Sequence, residues 1–343
     1  MPDAVFTIAF YQCEGLALNA PTCSALEKDR LYLECITVAF AAIRRVYSSA
    51  RLLLATNLRD NPPEFGRALD ALGVRLVAPR PTCATDASFN SGFPGCLYLL
   101  DAMRHIGDML DPETLLVLLD PDVLLIRDIE PLLRHAEAGG VSALPMPWGL
   151  NEDTNGQTRA SLSLMRAQWR PELGVSVIRC YGGECYVLSA ASLRRVSLAV
   201  SSFWAWMLTS RDGIYGRRLT EEHVLSVVLD TLGLEVQDIS PWARRIWTSY
   251  KRRNVRGDER GLRLWHLPAE KRYGFRRLFH EGARSSWFGG QNDEDFLRLV
   301  LRHTNIERSA TRRAVEAGKR KLRICLDAAE ALVANNEWQT PTN

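Results

Sequence analysis

Residues Thr114 to Ile126 read Thr-Leu-Leu-Val-Leu-Leu-Asp-Pro-Asp-Val-Leu-Leu-Ile, and the run carries no charge besides Asp120 and Asp122. Five apolar residues in a row, Leu115 to Leu119, suit a strand buried on both faces, as in a parallel sheet. Such a strand ends abruptly in two carboxylates, which places negative charge at its carboxyl end, where ligands bind in open α/β sheets. Pro121 removes a backbone donor and stiffens the turn, so the two carboxylates are expected to stay close together. A pair so placed suits a hard divalent cation whose other ligands are water and substrate phosphates. An isolated Asp-x-Asp is more often an ordinary turn. Here the strand before it and the pattern upstream favour a ligand site.

Upstream, Val5 to Tyr11 suits a first strand, Asp29 to Val46 has helical spacing, and Arg51 to Thr56 is a second strand stopping at Asn57. Pro63 to Leu72 follows as a helix closed by Gly73, Val74 to Ala78 as a third strand, and Cys96 to Ile106 as a helix after a polar loop. With the strand ending at Asp120 this is βαβαβαβ, the pattern of a parallel sheet with right-handed crossovers. Downstream, Pro131 to Ala138 reads as a helix and Val141 to Leu144 as a fifth strand. Trp148 to Gln157 looks like a loop, and Ser176 to Tyr181 like a strand that runs into Gly182-Gly183-Glu184. Ala190 to Leu208 is expected to be helical, and Thr220 to cap a further helix beginning Glu221-Glu222-His223. Leu262 to His266 alternates as a strand does, and the chain is helical from Asp293 onward. There, Val315, Leu322, Cys325, Ala329 and Leu332 form a stripe expected to pack on its own domain rather than make a dimer seam.

The chain has 343 residues, 46% apolar and 24% charged, enough for one large α/β domain or two smaller ones and ordinary for a soluble globular protein. No basic segment followed by an apolar stretch opens the chain, and no run reaches the roughly 18–20 apolar residues of a membrane span. Eight cysteines without metal-ligand spacing, and without a secretory signal, are read as reduced thiols in a cytoplasmic protein. Residues 251–330 hold 20 Lys/Arg against 11 Asp/Glu. That basic rear half suits an anionic partner such as a diphosphate, an acidic acceptor or, by peripheral contact, a membrane surface. The basic residues are not interleaved with aromatics in a nucleic-acid-binding module, so no nucleic-acid partner is expected.

The string around Asp120-Pro121-Asp122, preceded by three βα units, resembles the D-x-D signature of GT-A-fold glycosyltransferases that use nucleotide-diphosphate sugars, family 8 among them. Trp265-His266-Leu-Pro-Ala-Glu-Lys271 is similar to that family's closing motif, in which a histidine completes the metal site and a lysine reaches the diphosphate. Gly182-Gly183-Glu184-Cys-Tyr-Val-Leu-Ser and Thr220-Glu221-Glu222-His223 resemble its acceptor-side strand and acidic helix start. The likeness covers about residues 5–280. It departs from family 8 in a His-to-Lys interval one residue shorter, in Arg-Tyr where Pro-Trp commonly follows, and in lacking a counterpart of the basic residue in the helix before D-x-D.

The resemblance implies a GT-A-like α/β fold: a mostly parallel, Rossmann-like sheet flanked by helices, with a helical C-terminal extension. It further implies a glycosyltransferase domain over 1–290, with a nucleotide-sugar half at 1–145 and an acceptor half at 146–290, and the extension at 291–343. The metal ligands would be Asp120, Asp122 and His266, the ion Mn²⁺ or Mg²⁺, and the donor a nucleotide-diphosphate sugar, UDP-sugars favoured, with an unknown acceptor.

These residues also make chemical sense unaided. Two negative charges build on a leaving diphosphate, and a bound divalent cation would neutralise them as a Lewis acid. Imidazole moves the preference toward Mn²⁺. Lys271, one of five lysines among 43 basic residues, suits a phosphate oxygen. A carboxylate near the anomeric carbon is needed as well, and Glu184 and Glu222 are both candidates. Glu221, in the first turn of its helix, is equally well explained by the helix dipole. Tyr11 and Asn57, ending the first two strands, are placed to stack on a base and bond a ribose. Trp148, Trp204, Trp206 and Trp287 could offer sugar-stacking faces, although burial is the commoner use of tryptophan.

Two other readings compete. A haloacid-dehalogenase-type phosphatase or phosphotransferase would use Asp120 as nucleophile, but that class places its D-x-D after the first core strand and a Thr or Val where Leu124 stands. A non-enzymatic module with a degenerate sugar-nucleotide site is the other.

Overall fold

The computed structural model describes residues 3–12, 24–58, 62–83, 95–210, 218–249 and 252–307, with parts of 311–326. Cys13, Cys23, Ala329 and Leu332, and the middle of the polar loop before Cys96, lie outside the described residues.

The first half follows the expected alternation: β1 (Ala4–Phe10), α1 (Ala25–Val46), β2 (Arg51–Thr56), α2 (Pro63–Ala71), β3 (Val74–Val77), α3 (Tyr98–Met109) and β4 (Leu115–Leu119). The Ser24 side chain caps α1 by accepting from the Glu27 N–H, one of the donors a helix start leaves unpaired. After β4 come β5 (Val123–Leu125), α4 (Glu130–Glu137), β6 (Val141–Pro145), α5 (Arg159–Trp169), β7 (Tyr181–Ser189), α6 (Ala190–Thr209) and α7 (Glu221–Leu232). Next come β8 (Val236–Asp238), β9 (Ala243–Arg245), β10 (Leu264–His266), α8 (Arg276–Arg284) and α9 (Asp293–His303).

Seven strands form one sheet in the order β3-β2-β1-β4-β7-β6-β8, a mostly parallel sheet flanked by helices. β3, β2, β1 and β4 are parallel neighbours, β7 runs antiparallel to both β4 and β6, and β8 is parallel to β6. Each central strand feeds two cores. Phe6, Ile8 and Phe10 of β1 and Leu115, Val117 and Leu119 of β4 pack on one face with α1, α4, α8 and α9. Val5, Leu116 and Leu118 point to the other face, among α3, α5, α6 and α7. Strands buried on both faces need no polar alternation, which is why β4 could be read as an unbroken apolar run.

From β1 the chain winds toward β2, and the strands beyond β4 are added on the opposite side. The crevice outside the carboxyl ends of β1 and β4 is thus a topological switch point, the place where open α/β sheets bind ligands. A second, three-stranded sheet, β5-β10-β9, stands at this edge.

Two expectations are corrected and one helix is added. Ser176 to Cys180 is irregular and Tyr181 opens β7, so Gly182-Gly183-Glu184 lies within the strand and not beyond it. The residues of β7 are all buried between β4 and β6, where both ladders can saturate the backbone, whereas Val175 and Val177 are exposed. The segment at 159–169, which carried no sequence signal, is α5, held by a capping box between Thr158 and Ser161. In the C-terminal stripe Val315 and Leu322 are exposed instead of packed, although the described turns there are helical.

Candidate functional site

The register of two ladders assembles the site. Leu119 of β4 pairs with Cys185 of β7, and the Asp120 N–H donates to the Glu184 carbonyl at 3.2 Å. After the Asp-Pro-Asp turn, β5 pairs antiparallel with β10 so that Val123 lies opposite His266, and the Leu267 N–H donates to the Asp122 carbonyl at 3.0 Å. β9 then pairs parallel with β10 and sets Arg245 beside His266. Beyond β10, a 3₁₀ turn (Pro268–Glu270) and a π-helical turn (Lys271–Phe275) bring Lys271 back over the carboxylates.

Asp120, Asp122 and His266 can present ligand atoms that all lie within 4.8 Å of one another. His266 Nε2 is 3.3 Å from Asp122 Oδ2 and 3.7 Å from Asp120 Oδ2. Two carboxylates and an imidazole are a donor set that fits a hard-to-borderline divalent ion such as Mn²⁺ or Mg²⁺. The Lys271 ammonium touches Asp122 Oδ2 and lies 5.7 Å from the centre of the Tyr32 ring. His266 Nδ1 donates to Glu184 Oε1 at 3.1 Å, which leaves Nε2 facing the two aspartates. A carboxylate behind a ligand histidine in this way holds its ring orientation and tautomer.

The electrostatics follow from this crowding. Burial works against the Asp122 charge, yet Lys271 and His266 outweigh it and hold the carboxyl well below its usual range. Burial lowers His266, but Asp122 and Glu184 lift it to about 9. For Glu184, burial is overcome by Arg245 and His266, and the carboxyl sits at about 2. Asp120 goes the other way, to about 7, through desolvation and the neighbouring Asp122 and Glu184, although 28% of its side chain still reaches solvent.

Asp120, Asp122, His266 and Lys271 line a cavity of about 640 Å³. Tyr11 lines it too, its ring 4.9 Å from that of Tyr98 and packed against Gly95, where φ is +86° and a Cβ would lie 3.0 Å from the Tyr11 Cβ. Asn57 is not among the lining residues. Its amide accepts from the Gln12 N–H at 2.7 Å and donates to the Gln12 carbonyl at 2.9 Å, tying the ends of β1 and β2 together. Glu221 and Glu222 line the cavity as well, whereas Glu184 stands behind His266 and Arg245. Burial, Glu222 and Asp120 push Glu221 up to about 8. Of the tryptophans considered, Trp148 lines the cavity. Trp204 and Trp206 belong to the packing around Phe203, and Trp287 packs on Phe279.

Gly182 and Gly183 make room for the carboxylates. A Cβ at Gly182 would come within 1.9 Å of Glu184 Oε2, and one at Gly183 within 2.8 Å of Glu221 Oε1. Sequence reading did not single out Arg245, Tyr32, Lys28 or Trp247, all of which line the cavity. Arginine is abundant in this chain, so only the β9–β10 pairing marks Arg245. Lys28 and Tyr32 carried a weak signal, one helical turn apart on α1.

No family model and no curated protein matches the chain. Among solved structures it is similar to the galactosyltransferase LgtC in complex with donor and acceptor sugar analogs, at 12% identity over 81% of this chain and 95% of that one, with a TM-score of 0.45. It is also similar to the apo form of mouse xyloside xylosyltransferase 1, at 11% identity over 76% of this chain and 96% of that one, with a TM-score of 0.46.

Proposed function

We propose that the protein is a metal-dependent glycosyltransferase that moves a sugar from a nucleotide-diphosphate donor to an acceptor held in the same cavity. The observation that carries this is the cluster of Asp120, Asp122 and His266 at the switch point of the sheet, opening on a cavity that Lys271, Glu221 and Glu222 also line. A divalent ion held by these three side chains would supply Lewis-acid stabilisation of the departing diphosphate.

The chain's own residues would divide the remaining work. Lys271, mounted on the π-helical turn, offers a compact positive charge to a phosphate oxygen. Tyr11 and Tyr32, both of which line the cavity, offer aromatic faces to the donor. Glu222 is preferred over Glu184 as the carboxylate that meets the transferred sugar, because Glu222 lines the cavity whereas Glu184 does not and holds His266 Nδ1 instead. Trp148 and Trp247 offer aromatic surface to an acceptor.

A panel of UDP-, GDP- and TDP-sugars assayed for transfer and hydrolysis, with and without Mn²⁺, tests the reading. Turnover of at least one donor that is lost on chelation is the expected result. Release of phosphate from simple monoesters without sugar-nucleotide turnover would instead favour the phosphotransferase that uses Asp120 as nucleophile.

A further inference from the structure

Arg245 forks between two acids that belong to different elements. Its Nε donates to Glu184 Oε1, on β7, and a terminal nitrogen donates to Glu222 Oε1, on α7, at 2.7 Å. The oxygen of Glu184 that takes the arginine is also the one that takes His266 Nδ1. A continuous line therefore runs from Asp122 through His266, Glu184 and Arg245 to Glu222. The side chains of Glu184, Glu222 and Arg245 are 3%, 10% and 18% exposed, so none is a solvated surface pair. Each of the two glutamates keeps its second oxygen buried and without a hydrogen-bond partner, which leaves the arginine as the cation that meets both.

We propose that Arg245 is a positioning residue whose single guanidinium sets both the acid that orients the metal-ligating His266 and the acid that faces the transferred sugar. The inference rests on the metal-dependent reading given above. Its physical basis is the planar guanidinium, whose separate N–H edges reach two carboxylates in a fixed relation, which a lysine ammonium cannot reproduce. A change at Arg245 therefore reaches the metal site through Glu184 and the sugar side through Glu222, although it touches no metal ligand by its side chain.

The test uses the whole 343-residue chain with Arg245→Lys, which keeps the charge, and Glu184→Gln, which keeps the shape. Mn²⁺ affinity is measured by electron paramagnetic resonance on protein alone, and kcat and donor KM separately on the best donor. Both variants, folded by circular dichroism, should bind Mn²⁺ about tenfold more weakly. Arg245→Lys should also lower kcat by about tenfold or more with donor KM nearly unchanged, as expected when a group is misplaced only for the reacting state. Wild-type Mn²⁺ affinity in either folded variant, or absence of Mn²⁺ binding to the unmodified protein, overturns the proposal. If the protein binds Mn²⁺ and the variants weaken it but no sugar nucleotide is turned over, the glycosyltransferase reading fails while the link from Arg245 to the metal site stands.

Discussion

At Asp122 three demands meet in one side chain: it is buried, it touches Lys271, and it faces His266 Nε2. Asp122→Asn would remove the charge that both cations need while preserving shape, so Mn²⁺ binding by calorimetry should fall below detection with the far-ultraviolet spectrum intact. Retained, stoichiometric Mn²⁺ binding would sink the metal assignment. At Lys271 the expected loss is smaller. A charge-assisted contact contributes on the order of 1.5–3 kcal/mol, so Lys271→Ala should lower donor turnover by roughly ten- to hundredfold. Lys271→Arg should rescue it only in part, since a broad fork does not fit a point-charge position. Loss of the same size in Arg277→Ala would point to a diffuse basic surface instead. Glu221 carries a pH signature. Its carboxyl titrates at about 8 in the folded chain against an ordinary value of 4.5. Above pH 4.5 the unfolded chain gives up this proton while the folded one retains it, so stability falls as pH rises toward 8 and then levels off. Glu221→Gln removes that loss. Its melting temperature relative to the parent should climb between about pH 5 and pH 8, and a difference independent of pH would refute the assignment.

Among the elements, β7 matters most to the site, because one strand supplies both the neighbour of Asp120 and the acid behind His266. Its two glycines are needed for what they leave empty. Gly182→Ala would set a methyl group where Glu184 Oε2 now lies, and the cheapest relief is for that flexible carboxylate to move. The fold should survive, at a cost of about 1–3 kcal/mol for the overpacking, while Mn²⁺ affinity falls as Glu184 loses His266 and Arg245. A thermal melt paired with a metal titration separates the two effects. Unchanged metal affinity would show that Glu184 does not hold the imidazole. The same element explains why a glycine pair could be noticed in the sequence without its use being clear: the atoms it accommodates come from Glu184 itself and from α7, a separate and later element.

For the molecule as a whole, α9 belongs to the same core as β1 and β4. Phe296, Leu297 and Val300 are buried against it, and the Arg45 guanidinium lies 4.5 Å from the Phe296 ring centre while bonding Asp293 at 2.7 Å. Ending the chain before Asp293 should unfold it or lower its melting temperature sharply, since each large apolar side chain lost from the core contributes about 1.5–3 kcal/mol. Ending it after Glu307 should leave the melting curve unchanged, because Val315, Leu322 and Leu326 are exposed. Differential scanning calorimetry on the two truncations checks both statements, and a large loss from the second would mean that the exposed turns are covered in the functional protein. Among the described residues no helix is long and apolar enough to cross a membrane.

The βα alternation of the first half was legible in the sequence, as was the strand that delivers Asp120 and Asp122, because local patterning decides a strand buried on both faces and the turn that ends it. The grouping of those aspartates with His266 and Lys271 was legible only through the resemblance of two distant motifs. What brings them together is the pairing of Val123 with His266 across β5 and β10, a contact between segments far apart in the chain. Local preference cannot sense such a contact. The same holds for Arg245, which becomes part of the site only once β9 lies beside β10. It holds too for Glu184 and Glu222, equivalent acids in the sequence, of which only Glu222 lines the cavity. Local pattern thus settled the sheet's parallel half and the two acids at its edge. Which other side chains face those acids was settled by the folded chain alone, because that depends on strand register and on which groups the buried edge can keep paired.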